Sequence, residues 1–76
     1  MAKRELLPDP DGLNEARASW ADVALSTFAS KTGAIRPDVV CHMLTDIRHW
    51  CDREGLDFEH ELDRARAHYA AEILDA

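Results

Sequence analysis

The sequence predicts an all-α protein, a small three-helix bundle with an irregular N-terminal arm. Three observations lead there. Apolar residues recur at helical spacing in three separate stretches, the glycines and prolines fall between those stretches or at their edges, and no stretch alternates apolar and polar as a strand would. Three amphipathic helices joined by short connections form the smallest all-α arrangement that buries three apolar faces together.

Residues 1–12 read as the arm, because Pro8, Pro10 and the Asp11-Gly12 pair break any continuous helix. Leu6 and Leu7 either anchor it on the bundle or belong to a frayed terminus. The first helix is expected over about residues 13–31, with Gly33 as its stop. Leu13, Ala16, Trp20, Val23, Ala24, Thr27 and Phe28 form its expected inner face. Leu25 falls well away from the centre of that face, so the apolar surface is wider than one neighbour needs, and either a second neighbour covers Leu25 or it is exposed.

The strongest helix signal spans residues 37–54. Val40, Met43, Leu44, Ile47 and Cys51 share one face. Pro37 suits a first helical position, and Asp38 suits the positive helix end. Gly55 suits the left-handed residue that closes a helix, with Leu56 folding back onto Trp50 or Cys51. Asp57 is then the expected N-cap of a third helix over about 58–74. Phe58, Leu62, Ala65, Tyr69 and Ile73 make its apolar face.

Composition bounds the function. The chain has 76 residues, 46% hydrophobic and 32% charged, with a formal net charge of −6. That is one globular domain, near the lower size limit for folding without staples. No secretory signal is expected after Met1-Ala2-Lys3-Arg4, and no apolar run approaches the ~20 residues that span a bilayer. The expected setting is cytoplasmic, without membrane contact. Cys41 and Cys51 support this, since ten helical residues at ~1.5 Å rise put them roughly 15 Å apart, beyond the ~7 Å a disulfide tolerates. They are expected to be free thiols acting as small buried hydrophobes.

Signals for chemistry are weak. His42, Asp46, His49 and Arg53 lie along one outward stripe of the central helix, a spacing that could offer ligands to a metal but equally suits a solvated, ion-paired face. No Cys-x-x-Cys, glycine-rich phosphate loop or nucleophile with an adjacent base occurs. The expectation is a non-enzymatic protein with no catalytic residues, cofactor or metal.

Charge around the second turn stands apart. From Asp52 to Asp63 there are six acids against one base, Arg53. Asp57 caps and Glu59 suits a helix start, but Asp52 and Glu54 sit at the negative end of the central helix, where acids are unfavourable. Asp52, Glu54, Glu59, Glu61 and Asp63 are therefore the candidate partner-binding residues, docking on a protein with a basic surface. A solvated solubilising cap is the other explanation.

The run His49-Trp50, Asp52, Gly55-Leu56-Asp57-Phe58, Leu62, Ala65 and His68-Tyr69 resembles a family of small helical proteins of phages, plasmids and other mobile elements of proteobacteria. The resemblance covers about a third of the chain and implies a helical fold in a mobile-element setting. It brings no activity with it. Small acidic proteins of that setting are often inhibitors of host defence, anti-CRISPR proteins among them. The function expected is thus an acidic binding protein docking on the basic surface of a host nucleic-acid-handling complex. The alternatives are a self-associating accessory protein, forming a homodimer through Leu25, Trp50 or the arm, and a helix-turn-helix DNA regulator. The regulator fits poorly, because its recognition helix would open with Glu59, Glu61 and Asp63 where phosphate contact needs bases.

Overall fold

The structure is a computed structural model and describes residues 8–74. The expectations for Leu6 and Leu7 lie outside the described residues. Three α-helices follow one another: α1 (Leu13–Thr32), α2 (Val39–Glu54) and α3 (Phe58–Leu74), with a short 3-10 turn at Arg36–Asp38 leading into α2. No strand occurs among the described residues. The fold is all-α.

Each helix boundary has a local cause. Two aspartates open α1. Asp9 accepts from the backbone N–H groups of Asn14 (3.1 Å) and Glu15 (3.0 Å), and Asp11 accepts from that of Leu13 (3.0 Å). These three donors have no partner inside the helix, so the two carboxylates satisfy the whole first turn. Gly12, at φ 73°, makes the left-handed bend that brings both into reach. Pro37 was expected at the first position of α2. It lies instead in the 3-10 turn, where Asp38 N–H donates to Ile35 C=O at 2.9 Å, and the α-helix starts at Val39. Tight turns of this kind are common at helix starts. Gly55 closes α2 at φ 75°, and Leu56 N–H reaches Cys51 C=O at 2.9 Å. Leu56 nonetheless stays exposed. Asp57 then caps α3 as the sequence implies, accepting from His60 N–H at 3.1 Å.

α2 packs against both α1 and α3. The start of α1 is tied to the end of α3, where Asn14 Nδ2 donates to Glu72 C=O (3.3 Å) and Arg17 Nε meets Glu72 Oε2 (3.3 Å). In an up-down-up path those two ends would lie a helix length apart, roughly 25 Å for 17 residues. α3 therefore crosses back instead of running alongside α1. The result is open: the radius of gyration is 14.4 Å, against ~11 Å for a compact chain of this length.

Openness shows in the burial. Among the described residues only Cys51, 3% exposed, is buried. Several expected inner positions are not. On α1, Trp20 and Val23 are 66% and 67% exposed and Leu13, Ala24 and Thr27 are also exposed, leaving Ala16 and Phe28 half-buried. Leu25, for which cover by a second neighbour and exposure were both open, is half-buried with Ala29 on the side that faces α2. Roughly 160° separates Val23 from Leu25 around the helix. α1 is apolar on both sides, and the short 33–38 connection turns the Leu25 side inward. On α2, Val40, Leu44, Ile47 and Trp50 are exposed while Met43 and Val39 are half-buried, because α1 and α3 flank that face without covering it. Cys41 is exposed, not a buried hydrophobe, and both cysteines are free. On α3, Phe58, Leu62 and Ile73 are half-buried, but Ala65 and Tyr69 are exposed.

Replacing Asp9 by Ala is expected to cost 1–2 kcal/mol, at the upper end for a cap because one carboxylate serves two donors. The loss should appear as faster amide hydrogen exchange at Asn14 and Glu15, with Glu61 in α3 unchanged.

Candidate interaction surface

The acidic turn is assembled from the end of α2, the Asp57 cap and the first turns of α3. Four of its acids meet arginines. Glu54 pairs with Arg53 (2.9 Å), Glu59 with Arg48 (3.3 Å), Glu61 with Arg64 (2.8 Å) and Asp63 with Arg66 (2.7 Å). Asp57 spends its carboxylate on the cap. Asp52 is exposed and has no ion-pair partner among the described residues. Counting acids from Asp52 to Asp63 overlooks Arg48, which α3 folds against, and Arg64 and Arg66, which lie one turn on. The i,i+3 spacing of Glu61 to Arg64 and Asp63 to Arg66 is a signal already present in the sequence. The surface is mixed in sign, and its field is weaker than the acid count suggests.

Arg48 has a second role at this turn. Its guanidinium lies 5.7 Å from the centre of the Phe58 ring, within cation–π range. One side chain of α2 thus holds both an acid and an aromatic of α3.

His42, Asp46, His49 and Arg53 are all exposed. Among the described residues no three His, Cys, Asp or Glu side chains come together in a way that could hold a metal ion. No helix among them is long and apolar enough to cross a membrane.

The larger feature is apolar. Trp20 and Val23 lie exposed on the side of α1 turned away from its packing, Leu13 is exposed beside the end of α3, where it lines a hollow with His68, Ala71 and Glu72, and Val40, Leu44 and Trp50 are exposed on α2. Between the two helices runs a groove of about 330 Å³ lined by Asp22, Leu25, Ser26, Ala29, Arg36, Val39 and Val40. Single exposed apolar residues are ordinary on proteins, but a series sharing one helix face marks an interaction site. The width of the apolar surface of α1 signalled a second face; α2 takes the Leu25 side and the Trp20 side is left exposed.

A comparison with known protein families, characterised proteins and solved structures finds no match to this chain.

Replacing Arg48 by Ala is expected to destabilise the fold more than replacing Glu59 by Gln. The second change removes only an exposed ion pair, worth up to ~1 kcal/mol, while the first also removes the aromatic contact. Paired thermal melts check the order.

Proposed function

We propose that this chain is a non-enzymatic helical interaction protein whose working surface is the apolar back of α1, extended by the exposed apolar residues of α2. The observation that carries the reading is the pair Trp20 and Val23, both about two-thirds exposed on a well-formed helix that already packs through its other side. Burying such side chains is favourable by ~1.5–3 kcal/mol each, and tryptophan is among the residues that dominate binding energy at interfaces. A small chain gains by covering this face with another protein.

A second reading is supported by Asp52 and by the net charge of −6. Here the protein docks through its acidic turn on a basic host surface, as an anti-CRISPR-like inhibitor would. Complementary charge would speed such an encounter. The four internal arginine pairs reduce what that turn can offer. The resemblance of His49 to Glu72 to mobile-element proteins supports the setting.

Two bait variants separate the readings. With the chain immobilised against lysate of a proteobacterial host, Val23→Glu should lose the retained protein, and Asp52→Lys combined with Glu54→Lys should keep it. The reverse pattern would move the function to the acidic turn. Circular dichroism of each bait confirms that the helices persist.

A further inference from the structure

We infer that the face formed by Leu13, Trp20 and Val23 is the seam of a homodimer, in which α1 packs antiparallel against α1 of a second copy about a two-fold axis at Trp20. The inference rests on the apolar back of α1 being an interaction surface and names its occupant.

Spacing is the first argument. Leu13, Ala16, Trp20, Val23 and Thr27 follow one another at three, four, three and four residues, the repeat that keeps one seam facing a partner helix. None of the five is charged. The structure turns the centre of this seam away from α2: Trp20, Val23 and Thr27 are exposed, Ala16 is half-buried, and Leu13 is exposed at the seam's edge beside α3.

Area is the second. The chain exposes 6674 Å² for a mass of 8.6 kDa. A compact monomer of that mass exposes ~4,700 Å², so the open packing of the helices leaves more surface than a compact chain of this size has. A standard interface takes roughly 800 Å² from each partner. The partner present whenever the chain is present is another copy.

Charge fixes the direction. The start of α1 is acidic, with Asp9, Asp11 and Glu15, while Lys31 closes the helix and Arg36 follows it. Neither Lys31 nor Arg36 has an ion-pair partner among the described residues. Antiparallel pairing centred on Trp20 brings Lys31 of each copy to the acidic start of α1 in the other. It also sets the helix dipoles head to tail. Parallel pairing would place acid on acid. A two-fold axis across two antiparallel helices gives the self-complementary contact a closed dimer requires.

Sedimentation equilibrium of the 76-residue chain tests this. The expected mass is twice 8.6 kDa, and Lys31→Glu, a change on an exposed last turn, should weaken association by roughly fivefold (about 1 kcal/mol) while leaving helicity unchanged. Nitroxide labels on Ser30→Cys, in a Cys41→Ser background, should lie roughly 30 Å apart between copies, from 20 helical steps of ~1.5 Å. A label separation near ~10 Å, the distance between packed helix axes, would overturn the antiparallel seam. A monomeric chain that still loses its captured protein on Val23→Glu would overturn the second copy as occupant and leave the interaction reading standing. A monomer whose capture is indifferent to Val23→Glu would end both.

Discussion

α1 carries apolar side chains on two sides, and a chain of this size has only one surface of its own to set against them. A helix that is apolar around most of its circumference is stable when neighbours lie on more than one side. Here α2 takes the side that holds Leu25 and Ala29, and the side that holds Trp20 and Val23 is left to solvent. The openness of the molecule and the character of its surface follow from that division.

The way the chain closes reinforces it. Asn14 and Arg17, at the start of α1, hold Glu72 near the end of α3. The tie brings α3 back across the molecule, so α2 keeps a neighbour on each side but no cover over Val40 and Leu44. Among the described residues only Cys51, beneath the second turn, is enclosed. Ion pairs that keep a third or more of their surface in solvent, as Arg17 and Glu72 do, contribute little each. What holds the three helices in place is therefore the half-buried set of Met43, Phe58, Leu62 and Ile73, together with carboxylate caps at the starts of α1 and α3.

The second turn illustrates how a charge pattern changes meaning once the chain is folded. Read along the sequence it is an acidic cluster. In the structure, Arg48 arrives from α2, and Arg64 and Arg66 from one turn further along α3, so most carboxylates are balanced by neighbours. Asp52 alone keeps the character the cluster suggested. The apolar face of α1, by contrast, reads as core along the sequence and becomes surface in the structure.

By itself the sequence determined the helices and their ends. Periodicity placed the three elements, Gly33 and Gly55 supplied the left-handed stops, and Asp57 supplied a cap, because each of these depends on residues within a turn of one another. The double cap from Asp9 and Asp11 was as local, though hidden among prolines. Tertiary structure alone decided which side of each helix faces inward. A two-sided helix such as α1 fits a core through either face, and its rotation is set by the 33–38 connection and the closure at Glu72, neither of which leaves a periodic trace. The same reason explains why Leu25 is covered while Trp20 is not, and why Tyr69 and Leu44, at core spacing, stand in the open.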